Sequence, residues 1–248
     1  MAHGHAHAHE NAHAHEHARG RGSGKELVVL HDNRSSGAEA YRSLRTNLLF
    51  SRMGQELKTV VVTSTAAAEG KTTVASNLGT TFAQQGVRVL VVDADLRKSR
   101  LHQVFGHDRG PGLSDVLISR VTPGQAIRKT EVDGLYVLPA GLVPPNPSEL
   151  LGSPRMARFV EQARQAFELV IFDSPPLMAA GDAAILGAQC DGVVLVVRAG
   201  KTDQDTARDA VRQLDNVRAR VLGAVLNDPD ATVPRYGGYY YYSYYGDE

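Results

Sequence analysis

Apolar residues along this chain fall in short runs, separated by longer stretches of mixed polarity. Thr59-Val60-Val61-Val62-Thr63 predicts a first strand, and residues 87–92, ending in Asp93, a second. Further strands are expected at residues 135–138, at 169–172 ending in Asp173, at 193–197 and at 221–226. Short apolar runs between turn residues suit strands buried on both faces. The intervening stretches have helical spacing: 71 to about 85, stopping at Gly86, then 154–167, 182–188 and 203–217. A leading helix is expected from Gly37 to about Met53, with Ser35 or Ser36 as N-cap and Leu44, Leu48 and Leu49 recurring on it. Residues 101–123 are mixed, with short helical pieces between glycines. Pro144-Pro145-Asn146-Pro147 reads as a rigid loop, after which Ser148 is expected to cap a short helix. Strands alternating with helices predict an α/β fold: a mostly parallel sheet with helices on both faces. Such sheets bind ligands at the carboxyl ends of their strands.

Three segments at those ends carry chemistry. Gly70-Lys71-Thr72 follows a strand and opens a helix, the setting of a phosphate-binding loop of the P-loop NTPase type. There Ala68, Glu69, Gly70, Lys71, Thr72 and Thr73 would meet phosphate, with Lys71 on the β- and γ-phosphates and the Thr72 hydroxyl on Mg²⁺. The loop departs from GxxxxGK[ST], because Thr65 stands at the first glycine and Ala66, Ala67 and Ala68 follow. Alanine at positive φ costs roughly 1 kcal/mol or more, so the loop avoids that conformation or binds nucleotide less well. The second segment, Asp93-Ala94-Asp95-Leu96-Arg97, places two carboxylates one residue apart, and a turn after Asp93 would let one of them point at the metal or the acceptor. Arg97 would contact phosphate or pair with Asp95. The third, Asp173-Ser174-Pro175-Pro176, puts a carboxylate where it would hold Mg²⁺ and ends the strand with two prolines.

Composition narrows the classes. The formal net charge of zero gives no global pull toward nucleic acid. The single Cys190 excludes an intrachain disulfide and reads as a small buried hydrophobe rather than a nucleophile. Neither a membrane-spanning run nor a signal-peptide pattern is found, so a cytoplasmic module recruited to the inner face of the membrane by a partner is expected. Residues 1–24 alternate histidine with alanine, then arginine with glycine; they read as a purification tag and linker. Residues 25–231 would form the domain. Residues 232–248 would be a disordered tail in which Tyr236, Tyr239, Tyr240, Tyr241, Tyr242, Tyr244 and Tyr245 are spaced by glycine and serine. A nucleotide site and a phenol cluster on one chain suggest that the phenols accept phosphoryl groups.

The three segments in this order resemble the bacterial tyrosine kinases of polysaccharide export, with their modified Walker A loop, DxDxR block and DxPP Walker B. Glu39-Ala40-Tyr41-Arg42-Ser43-Leu44-Arg45 matches the family's ExxRxxR, and the tyrosine tail is a fifth match. The resemblance covers about residues 37–248, departing at Ala67-Ala68, where the family commonly has Pro-Gly. It implies an ATP- and Mg²⁺-dependent kinase autophosphorylating its tail, with Lys71, Asp93, Asp95 and Asp173 as catalytic residues. Thr72, Asp93 and Asp173 would hold the metal, with Asp93 taking the phenol proton. Glu39, Arg42 and Arg45 would join subunits into a ring, an octamer being one count it allows. A membrane adaptor of the polysaccharide co-polymerase type and a cognate tyrosine phosphatase are the implied partners. Asn227, ending the last strand, would read a nucleobase edge or serve as a turn residue. A partitioning or cell-division ATPase, or a nucleotide switch without transfer, are the competing readings. Such ATPases usually carry a lysine where this chain has Ala66, and they lack DxDxR and the tyrosine tail.

Overall fold

A computed structural model describes residues 26–51 and 56–228. The histidine-rich segment, the end of the leading helix at Met53 and the tyrosine tail lie outside the described residues. In chain order the elements are α1 (Val28–His31), α2 (Ser36–Phe50), β1 (Thr59–Ser64), α3 (Lys71–Ala83), β2 (Val89–Asp93) and α4 (Leu101–Val104). There follow α5 (Leu113–Leu117), α6 (Pro123–Ala126), β3 (Arg128–Lys129), β4 (Leu135–Leu138), α7 (Pro147–Leu151) and α8 (Pro154–Ala166). The chain continues through β5 (Leu169–Asp173), α9 (Asp182–Gly187), β6 (Gly192–Arg198), α10 (Gln204–Asn216) and β7 (Val221–Asn227).

The strands form one sheet in the order β3-β4-β2-β5-β1-β6-β7. All neighbouring pairs are parallel except β3 with β4, a two-residue antiparallel edge that no apolar run in the sequence announces. Side chains alternate across the sheet as the pleat requires. Leu90, Val92, Val170 and Phe172 pack toward α5 to α10, whereas Val89, Val91, Leu169 and Ile171 pack toward α2 to α4. Full burial of each such side chain contributes about 1.5–3 kcal/mol.

The α3 helix is buried almost all round, although it carries Ser76, Asn77, Thr80 and Thr81. Asn77 accepts from the Val29 amide and donates to the Glu26 and Thr73 carbonyls, tying α1 to α3. Gly79 lets this helix approach the sheet, since a Cβ there would lie 2.6 Å from Val91 Cγ2. Ser35 caps α2 by accepting from the Ala38 amide, as its sequence suggests. Ser148 does not cap α7: Asn146 holds the N-cap position, and the Ser148 hydroxyl turns to Asp182.

Candidate active site

The chain leaves β1 at Ser64, crosses a loop and re-enters regular structure at Lys71. Two loop residues are left-handed, Ala68 with φ 62° and Gly70 with φ 94°. The loop therefore keeps the conformation that alanine disfavours, and position 68 carries roughly 1–2 kcal/mol of local cost. Gly70 is required on steric grounds too, because a Cβ would meet Asn227 Nδ2 at 2.1 Å. That amide donates to the Glu69 carbonyl at 2.9 Å, and Arg198 Nη1 donates to the Ala68 carbonyl at 3.3 Å. In a planar trans peptide the next N–H points opposite to the carbonyl. Pinning these two carbonyls thus also fixes the N–H groups of Glu69 and Gly70 on the other side of the loop. The Glu69 carboxylate is turned into the loop, where it accepts from the Thr65 hydroxyl at 2.7 Å, the Ala66 amide at 2.9 Å and the Thr202 hydroxyl. Its side chain therefore braces the loop from within. Lys71, Thr72 and Thr73 form the first turn of α3, whose amides lack intrahelical acceptors.

Three acids face this loop. Asp93 and Asp173 end adjacent strands as register partners, and both are fully buried. The chain does turn after Asp93: its Oδ1 accepts from the Asp95 amide at 3.2 Å, and Asp95 Oδ1 accepts from the Lys98 amide at 2.8 Å. Asp95 Oδ2 lies 3.1 Å from Lys71 Nζ, and Asp173 Oδ1 lies 3.7 Å from it. Asp93 Oδ2 accepts from the Ser99 hydroxyl at 2.8 Å and the Leu101 amide at 3.1 Å. Neither Asp173 oxygen accepts a well-formed hydrogen bond, although Thr72 and Lys71 lie beside it. Burial, reinforced by Asp173, pushes the Asp93 carboxyl up to about 7. Burial also raises Asp173, against the opposing pull of Lys71. Burial alone would lower the Lys71 ammonium, but Asp173, Asp95 and Asp93 outweigh it and hold it above its usual value. The lysine is therefore charged and aimed among the strand tips.

The remaining expected residues are placed differently. Arg97 pairs with buried Asp182 at 2.9 Å and also donates to Ser148, so its acidic partner is Asp182 and not Asp95. On α2, Arg42 pairs with Glu39 at 2.8 Å and donates to the Asn33 carbonyl, while Arg45 donates to the Thr81 carbonyl of α3 at 3.0 Å. Asn227 acts on the loop backbone through its amide donor. Cys190 is half-buried, and burial raises its thiol to about 12, which suits an unreactive packing residue. Ser99, Asp182, Arg198 and Thr202 escaped the sequence reading. Only Arg198 had a signal, its position at the carboxyl end of a buried strand.

The family described as AAA domain matches residues 57–222. The chain is 39% identical over 216 residues to tyrosine-protein kinase YwqD of Bacillus subtilis (strain 168), covering 87% of this chain and 91% of that protein. The chain belongs to the bacterial tyrosine kinase family. It is 41% identical over 213 residues to the putative tyrosine-protein kinase EpsB of Ralstonia solanacearum, covering 84% of this chain but 28% of that one. The kinase thus spans nearly all of one relative and under a third of another. The kinase domain of Escherichia coli tyrosine kinase ETK superposes on it with a TM-score of 0.81 at 34% identity, covering 89% of this chain and 88% of that one. The chain is accordingly a tyrosine-protein kinase, a phosphotransferase. No helix among the described residues of the kinase is long and apolar enough to cross a membrane.

Proposed function

We propose that this kinase transfers the γ-phosphoryl group of ATP to tyrosines of its own C-terminal segment, Tyr236, Tyr239, Tyr240, Tyr241, Tyr242, Tyr244 and Tyr245. The observation that carries this reading is the Lys71 ammonium held between Asp95 and Asp173 at the mouth of a loop whose amides are pre-aimed. Lys71 and the amides of residues 68–73 bind the phosphates and stabilise charge on the transferring group. Of the three expected metal ligands, Thr72 and Asp173 would hold Mg²⁺ directly, whereas Asp93, whose oxygens already accept three hydrogen bonds, would stand behind them with Asp95. The bare, buried Asp173 carboxylate fits a cation. Such an ion would supply positive charge against the phosphates.

Asp93 Oδ2 has both lone pairs engaged, whereas Oδ1 keeps one. Oδ1 accepts the phenol proton as the phenolic oxygen bonds to the γ-phosphorus and the bond to ADP breaks. A free phenol titrates near 10, so about one in a thousand is ionised at pH 7, and a base removes part of that barrier. The loose transition state asks little of the base itself.

Transfer in trans within a ring, built through Glu39, Arg42 and Arg45, extends the same reading. Seven phosphotyrosines would add on the order of −10 to −14 charges, which favours dissociation of the modified ring. Regulation of exopolysaccharide and capsule synthesis, through a membrane adaptor and reversed by a phosphatase, completes it. Mass spectrometry before and after incubation with Mg-ATP tests the core claim. Phosphate is expected on the tail tyrosines of the native chain and nowhere on Lys71→Met. Tail phosphate gained by purified Lys71→Met would refute self-catalysis, and ATP turnover without phosphotyrosine would favour the nucleotide switch.

A further inference from the structure

A groove far from the nucleotide loop gathers five cations around an apolar floor. It runs between α8 and the segment from α5 to β3, as two cavities of about 450 and 410 Å³ that share Pro123, Phe159 and Gln162. Arg120, Arg155 and Arg158 line the first cavity and Arg88 and Lys129 the second, while no Asp or Glu lines either. Residues 155, 158, 162 and 166 share one face of α8, so the groove follows that helix for roughly 17 Å. Its floor includes the nearly buried rings of Phe159 and Phe167. The Arg88 guanidinium lies 5.4 Å from the Tyr136 ring centre and 5.0 Å from that of Phe167. Arg155 leans on the Leu117 carbonyl at 3.0 Å, and Arg120 stands 3.9 Å from Asp115. Arg158 and Lys129 have no acidic partner among the described residues. Arg88 and Phe167 precede β2 and β5, so the second cavity sits toward the amino ends of the strands, opposite the strand tips.

Such a groove suits an extended ligand that offers flat rings joined to multiply charged anions. The rings would enter the apolar floor, and the anions would meet arginine forks at the rim. A concave channel is a poor match for a planar lipid surface. Segment 232–248, once phosphorylated, has this chemistry: tyrosines spaced by glycine and serine, followed by Asp247 and Glu248. It also has the reach. From β7 to β4 is five strand steps, roughly 24 Å, and passing from the carboxyl to the amino ends adds a strand length of roughly 20 Å, a straight span of roughly 30 Å, whereas the chain from 229 to Tyr245 extends to roughly 55 Å. We propose that the groove along α8 binds the phosphorylated form of segment 232–248, drawing modified tyrosines away from the nucleotide site. The proposal rests on the tail being the phosphoryl acceptor.

A synthetic peptide of residues 232–248, phosphorylated on the seven tyrosines, separates the two ideas, because its binding does not require the chain to phosphorylate itself. The probe is fluorescence anisotropy with the full-length Lys71→Met chain, whose own tail stays unmodified. The phosphorylated peptide is expected to bind about tenfold or more tighter than the unphosphorylated one, and to weaken with salt. Arg158→Glu combined with Lys129→Glu should weaken it at least about tenfold at an unchanged Tm. Arg158→Gln, a milder single change, should weaken it about threefold. Arg208→Glu with Arg212→Glu, on α10, should have no effect. Equal affinity of the two peptides overturns the proposal. So does indifference to the groove substitutions, an equal loss from the α10 pair, or equally tight binding of a peptide with glutamate in place of each phosphotyrosine. Vesicles of phosphatidylglycerol captured through Arg158 and Lys129, with no capture of the phosphopeptide, would replace it with a lipid site.

Discussion

Two strand tips, those of β2 and β5, present the same residue at the same height in the sheet. Asp93 and Asp173 are register partners and equally buried. Asp93 accepts three hydrogen bonds, from the Asp95 amide, the Ser99 hydroxyl and the Leu101 amide. Asp173 accepts none of good geometry and has the Lys71 ammonium 3.7 Å away. The difference follows from what comes next in the chain. After Asp93 the backbone turns and wraps its own amides around the carboxylate. After Asp173 comes Ser174 and then two prolines, which have no N–H to offer. One tip therefore spends most of its carboxylate on its own loop and keeps one lone pair of Oδ1 open, and the other keeps both oxygens for something outside the protein. A buried carboxylate left bare costs folding free energy, and such a cost is commonly met at ligand sites.

The contrast is broken most sharply by neutralising each tip in turn. Asp173→Asn should lower tail phosphorylation by about 10²-fold or more while leaving the ligand-free protein as stable as before, or more so. Asp93→Asn should destabilise by about 1–3 kcal/mol, because three donors then compete for one acceptor oxygen. Urea unfolding and phosphotyrosine yield measure both, and equal stabilities for the two variants would erase the distinction. A smaller effect separates the tips by pH. The Asp93 carboxyl rises from 3.8 to about 7 on folding. Between those values the folded state binds more protons than the unfolded, so this residue's contribution is most favourable at the acid end and is lost as pH rises toward 7. The ligand-free native chain should therefore lose stability relative to Asp93→Asn between pH 5 and 8, as read from urea midpoints at about those two values. A constant difference between the two proteins would show that the shift is absent. The smallest effect concerns the loop between the tips. Ala68→Gly removes a left-handed alanine, so Mg-ATP should bind equally well or up to about fivefold tighter by calorimetry. Weaker binding would mean that the freedom glycine adds to the unliganded loop outweighs the strain it relieves.

The strand tips and the loop were legible because each rests on local pattern. An apolar run marks a strand, the acid after it marks the tip, and Gly-Lys-Thr at a helix start marks the phosphate cradle. The turn after Asp93 was legible for the same reason. What each side chain does there was less so. Arg97 reaches Asp182, 85 residues away, and Glu69 is held by Thr202, 133 residues away. No periodicity reports such partners. Asn227 and Gly70 explain each other only in space, where the amide fills the room a Cβ would take. The antiparallel β3 was missed because two residues, one half-buried and one exposed, carry no apolar signal.

By itself, then, the sequence determined a parallel sheet covered on both faces, the order of its chemical segments and the phosphate-binding character of the loop, because burial and backbone geometry are written in neighbouring residues. Only the tertiary structure decided which tip acid is largely engaged and which is bare, that Arg97 turns to Asp182, and that five cations share an apolar groove. Those outcomes depend on which distant donors the fold brings within 3 Å or so, and short-range hydrogen bonding does not follow from chain distance.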